Sequence, residues 1–151
     1  MKAITNTQQL NTFDVIKTIL KGGTEINKRF RDSDFYEFEP NLMAINFSQV
    51  PYIVIETPTT PETDLLVFDH NTTLKSFEVN ILLVMGYEAR SKFRTYANEI
   101  IRQIESNEST LESYGYYDPK IMLEDVGVEM LDRRQVVVGR FILSLDSKVE
   151  R

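Results

Sequence analysis

The stretch SFEVNILLVMGYEARSKFRTYANEIIRQIE, residues 76–105, changes its hydrophobic period once, and that change constrains the fold more than anything else in the chain. Phe77, Val79, Ile81, Leu83 and Met85 alternate with Ser76, Glu78, Asn80, Leu82 and Val84, the period of two expected of a strand. The polar partners stop at Asn80, so the second half is apolar on both sides. An antiparallel strand with one wet face keeps alternating to its end, which places this strand in the middle of its sheet. After Gly86-Tyr87-Glu88 the step becomes three and four: Phe93, Ala97, Ile100, Ile101 and Ile104 form a stripe, with Arg90, Lys92, Arg94, Glu99, Arg102 and Glu105 between them. That spacing predicts an amphipathic helix whose apolar side lies on the strand before it. A long strand leading directly into a long helix predicts an α+β domain, an antiparallel sheet of about four to five strands with the helix packed across it.

The rest of the chain adds to this unit. Leu10, Phe13, Ile16, Ile19 and Leu20 share one side of an N-terminal helix over residues 8–21, ended by Gly22-Gly23. Residues 24–48 form an extended loop or arm. Its 28–39 part mixes Phe30, Phe35, Tyr36 and Phe38 with seven charges and fits neither period. Two readings stand for it: aromatics folded back on the core, or an arm lying on another subunit, where aromatics and Arg are typical anchors. Val50–Glu56 reads as a short apolar strand with Pro51 near its beginning, residues 57–63 as a Thr/Pro loop, and Asp64–Asp69 as a further short strand. A polar turn rich in tyrosine (Tyr114, Tyr116, Tyr117) precedes Ile121–Leu131 and Val136–Leu145, two strands of a hairpin turning at Asp132–Gln135. All 151 residues fit one domain.

Composition removes several kinds of chemistry. Cysteine is absent, so disulfides and thiolate metal sites are excluded. The single histidine, His70, is the only imidazole base available to the serines, and in its turn-like Asp-His-Asn-Thr segment it reads as an exposed turn residue. No GxSxG elbow and no glycine-rich phosphate loop is present. The formal net charge is −6, against capture of nucleic acid by a basic surface. MKAITNTQQL lacks the pattern of a signal peptide, and no apolar run has the length of a membrane span. The chain is therefore expected to be soluble, without cofactor or metal, and not an enzyme. Asp132, Asp146 and Lys148 loosely match the carboxylate-and-lysine pattern of restriction-endonuclease-like nucleases, but are expected at opposite ends of the hairpin.

The most distinctive charge feature is the acidic series Glu124, Asp125, Glu129 and Asp132. Alternate residues of a strand share a face, so Asp125 and Glu129 point together, as a solvated sheet face or as the wall of a passage that repels a polyanion. In element order, size and acidity the chain resembles the tail-terminator (tail-completion) proteins of long-tailed bacteriophages. The resemblance is carried by Leu10–Leu20, Tyr52–Glu56, Ser76–Met85 running into Glu88–Glu105, and Ile121–Asp146. It implies a structural virion protein that forms a hexameric ring at the head-proximal end of the tail. Such a ring stops polymerisation of the tail tube and joins the tail to the head connector.

The implied partners are further copies of itself, the tail-tube protein and connector or neck proteins, with DNA only as non-specific cargo through the lumen and no membrane. A ring requires a heterologous interface whose rotation closes. Phe30, Arg31, Phe35, Tyr36, Phe38, Tyr114, Tyr116 and Tyr117 are the expected subunit contacts, and Asp125, Glu129 and Asp132 the expected acidic lumen. Deletion of residues 28–39 is then expected to leave a folded monomer. The alternatives are a head-completion or neck protein, a small regulatory ligand-binding domain, and a metal-dependent nuclease.

Overall fold

The computed structural model describes residues 12–37, 51–57, 63–67, 72–131 and 133–150. Its elements in chain order are α1 (Thr12–Lys21), α2 (Thr24–Arg29), a 3-10 turn (Asp32–Asp34), β1 (Phe35–Tyr36), β2 (Tyr52–Glu56), β3 (Thr63–Val67), β4 (Thr72–Gly86), a second 3-10 turn (Tyr87–Lys92), α3 (Phe93–Ser106), α4 (Glu108–Ser113), β5 (Tyr116–Leu131) and β6 (Arg134–Glu150). The fold is α+β: a six-stranded, mostly antiparallel sheet with helices on one face. Strand order is β1-β2-β4-β6-β5, and β3 also pairs with β4. Among the described residues, the one parallel pair is β1 with β2.

β4 is central, as its two-sided apolarity predicts. It pairs with β6 along its whole length from Thr72 to Gly86, while β2 and then β3 occupy its other side. Phe77, Val79, Ile81, Leu83 and Met85 point into the main core with Phe141, Leu143 and Leu145 of β6. Ile16 and Leu20 of α1 and Ile100 and Ile104 of α3 close that core from above. Leu82 and Val84 point the other way, into a second buried cluster with Tyr52, Val54, Leu131, Val136 and Val138. This second cluster is the reason the polar alternation ends at Asn80.

Two details depart from expectation. The helical stretch after Gly86 begins as a 3-10 turn, and the α-helix itself starts at Phe93. The hairpin turn is tighter than Asp132–Gln135, because β5 ends at Leu131 and β6 begins at Arg134. Arg133 takes φ 64°, the left-handed conformation that short hairpin turns demand. Both hairpin strands are longer than their hydrophobic patterns indicate. Asp146 and Lys148 lie within β6, where they pair with β4.

At Gly139 the ring of Phe93 rests directly on the sheet backbone. A Cβ there would lie 2.5 Å from Cζ of Phe93 and 3.6 Å from Phe141. Gly139→Ala is expected to push the Phe93 ring aside and cost about 1–3 kcal/mol, the usual range for overpacking. A urea midpoint equal to that of the parent would show that the ring moves freely.

Candidate assembly surface

β5 is last in the sheet order, and its outer side pairs with no strand among the described residues. The helical layer covers only its beginning. Tyr116 is 1% exposed, and its hydroxyl is 2.5 Å from Oγ1 of Thr12 at the start of α1. Burial pushes the Tyr116 phenol above its ordinary pKa, an effect opposed by the hydrogen bond to Thr12. Further along, the cover ends. Leu123, Val126 and Val128 pair in register with Phe141, Gly139 and Val137, so they share the helix-side face with those residues. They are nevertheless 36%, 47% and 54% exposed, and Met130 is 60% exposed. A long edge carrying an apolar row is the kind of surface that soluble proteins cover or blunt.

The other face of the same strand is charged. Asp125 pairs in register with Arg140 of β6. The Arg140 guanidinium lies 3.8 Å from the Asp125 carboxylate and donates a hydrogen bond to Glu129. Asp125 and Glu129 therefore do share a face, with a cation between them that offsets part of their charge. Glu124 is exposed within a register irregularity between Leu123 and Asp125. Asp132 lies outside the described residues.

Across the sheet, the 3-10 turn and first turn of α3 carry Arg90, Lys92 and Arg94, all exposed. Arg90 sits 4.2 Å over the Tyr87 ring and donates to the Tyr87 carbonyl at 3.1 Å. None of the three makes an ion pair among the described residues. They stand on the helix side, because Phe93 in their midst faces Gly139. Asp125 and Glu129 stand on the opposite side.

The aromatic subunit contacts expected from sequence require correction. Phe30 and Phe35 are 2% and 6% exposed and belong to the main core; of the two readings of this segment, the one that folds aromatics back holds for them. Their rings are 6.2 Å apart, and Phe30 meets Tyr96 of α3 edge-on at 5.3 Å. Tyr116 is likewise a core residue, edge-on to Phe77 at 6.0 Å. These three cannot serve a neighbouring subunit. Tyr36 is half-buried against Tyr52, and Tyr117 is half-buried. Arg31 is exposed beside Asp34 at 3.5 Å, Tyr114 is 47% exposed, and Phe38 lies outside the described residues.

The sequence reading missed α2 and the residue that holds it. Periodicity sets Glu99 among the polar residues of the helix, yet it is 4% exposed, and its carboxylate accepts hydrogen bonds from the amides of Glu25 and Ile26 at 3.1 Å each. One helical turn on, Gln103 donates to the Ile19 carbonyl at the end of α1 at 2.8 Å. The only local signal was Gly22-Gly23, because the caps come from far along the chain.

Other chemistry finds little to build on. Among the described residues no three His, Cys, Asp or Glu side chains come together as a metal site, and His70 lies outside them. Asp146 pairs with Tyr117 and Ser76, away from the hairpin turn. A concavity beside α1 is lined by Asp14, Lys17, Lys21 and Asp32. There Lys21 bonds Asp32, and its hydrogen bond and charge, with that of Lys17, hold the Asp32 carboxyl below its usual value. No helix among the described residues is long and apolar enough to cross a membrane. The chain matches no protein-family model and no curated protein.

Proposed function

We propose that this chain is a self-assembling structural subunit of a phage particle. It closes into a ring, hexameric by the resemblance noted above, at the head-proximal end of the tail. There it ends growth of the tail tube and joins the tail to the head connector while DNA passes through. The observation that carries the assembly part is the β5 edge, a strand of 16 residues bordered by exposed Leu123, Val126, Val128 and Met130. These four side chains together present apolar area on the order of 300 Å², comparable to the largest patch on a typical monomer, which is often functional. Closing subunits into a ring covers such an edge on every copy, and no open end remains to recruit more chains. The place in the particle rests on the resemblance in element order, size and acidity.

Sedimentation and native mass measurement test the assembly part. The expected result is a discrete particle of six times the 17.6 kDa chain, with no intermediate series of masses. A monomer at every concentration, alone and with tail tubes, overturns it. Immunogold labelling of virions tests the location, and label anywhere but the junction beneath the capsid rejects that part.

A further inference from the structure

A neighbouring subunit that pairs along β5 covers its backbone edge, but the side chains of a strand stand roughly perpendicular to the sheet. The row of Leu123, Val126, Val128 and Met130 then stays open from the helix side. Its surroundings there are basic. Phe93 rests on Gly139, and Gly139 pairs in register with Val126. The 3-10 turn and first turn of α3 therefore stand on the same face as the row and one strand away from it. Arg90, Lys92 and Arg94 are exposed there, and Glu88 offsets one of their three charges. On a chain of net charge −6, this sets a cationic wall along an apolar floor.

A second copy does not fit this place. Among the described residues, Tyr114 is the only large apolar side chain exposed outside β5, so no described helix of another copy has a stripe to lay on the row. Two rows packed face to face would bring two basic turns together. Nucleic acid would meet the cations but leave the apolar floor unused. The helices α1 and α3 close the core over β4 and β6 and leave the second half of β5 bare, so the layer is one helix short. From Leu123 to Met130 the row runs about 23 Å at the rise of a strand, the length of about four helical turns.

We propose that the helix-side face of β5 docks an acidic amphipathic helix of about four turns from another protein. Its apolar stripe lies on Leu123, Val126, Val128 and Met130, and its carboxylates meet Arg90, Lys92 and Arg94. The bound helix runs beside the start of α3 and completes the helical layer. Burial of the row supplies most of the affinity, while the cations orient the helix and select an acidic partner over a basic one. This contact lies above the sheet and goes beyond the ring reading, since it stands whether or not the subunits close.

The chain has no cysteine, so Val128→Cys places a single reporter thiol in the row. The probes are a peptide of about 16 residues with leucines on one side and glutamates on both flanks, the same peptide with lysine for each glutamate, and a short duplex DNA. The acidic peptide is expected to slow alkylation of the thiol by about tenfold or more, while the lysine peptide and the DNA leave it reactive. Adding Arg90→Glu and Arg94→Glu, both at exposed positions, is expected to reverse the preference between the peptides, with circular dichroism checking the fold. Salt gives the same discrimination without those variants, because raising it is expected to narrow the gap between the peptides. Equal protection by both peptides, protection by DNA, no protection by the acidic peptide, or a gap indifferent to salt overturns the inference. Protection that rises with the protein's own concentration, without peptide, gives the row to a second copy and overturns it too. Sedimentation decides the ring separately: a chain that stays monomeric while the acidic peptide shields its thiol overturns the ring and upholds the docking site.

Discussion

Truncating Phe30 to alanine is expected to lower the unfolding free energy by about 3–5 kcal/mol, the range for removing a large aromatic from a packed core. The ring is 2% exposed and joins three parts of the chain. It follows the end of α2, packs 6.2 Å from Phe35 of β1, and meets Tyr96 of α3 edge-on. Aromatic pairs of this geometry contribute about 0.5–1.5 kcal/mol beyond the area they bury, so the upper part of the range applies. Urea denaturation should show a lower midpoint with an unchanged slope. Had Phe30 belonged to an arm reaching a neighbour, the same truncation would leave the monomer's midpoint alone and reduce only the assembled mass. That second outcome would return the segment to the subunit boundary. Deletion of residues 28–39 removes both Phe30 and Phe35 and is now expected to unfold the domain.

The aromatics at 30 and 35 also show where pattern reading stops. Periodicity finds elements long enough to repeat. β4 and α3 repeat for several turns of their period, and both lie close to where the alternation and the stripe place them. The 24–37 segment contains a six-residue helix, one 3-10 turn and a two-residue strand. Each is too short to show a period, so its aromatics gave no sign of which way they faced. The tyrosine turn failed for a related reason. Tyr116 opens β5, and its neighbour Gly115 takes φ 93°, so one residue decides between surface Tyr114 and buried Tyr116. The β5 surface was legible in part. Alternation placed Asp125 and Glu129 on one face, but it is the sheet order that makes β5 an edge and the limited reach of the helices that leaves Val126 and Val128 uncovered.

Replacing Glu99 by alanine is expected to cost about 3 kcal/mol, the scale for removing a charged acceptor from buried donors. α2 begins after Gly23, which supplies no side-chain cap. The amides of its first turn therefore depend on an acceptor from outside, since a helix leaves its first N–H groups without partners of its own. Glu99 supplies it through both carboxylate oxygens, one to Glu25 and one to Ile26, and its negative charge suits the positive end of the helix. The approach is close enough that a Cβ on Gly23 would lie 2.7 Å from Glu99 Cδ. Alanine at 99 leaves those amides without their acceptor in a place where little water enters. Glutamine at 99 keeps one acceptor but turns an N–H group toward the second donor, so it is expected to recover only part of the loss. Hydrogen exchange locates the effect: the Glu25 and Ile26 amides should lose protection first, with β4 and β6 still closed. Uniform loss of protection across the sheet would instead make Glu99 part of the global folding unit, and α2 more than a locally held turn.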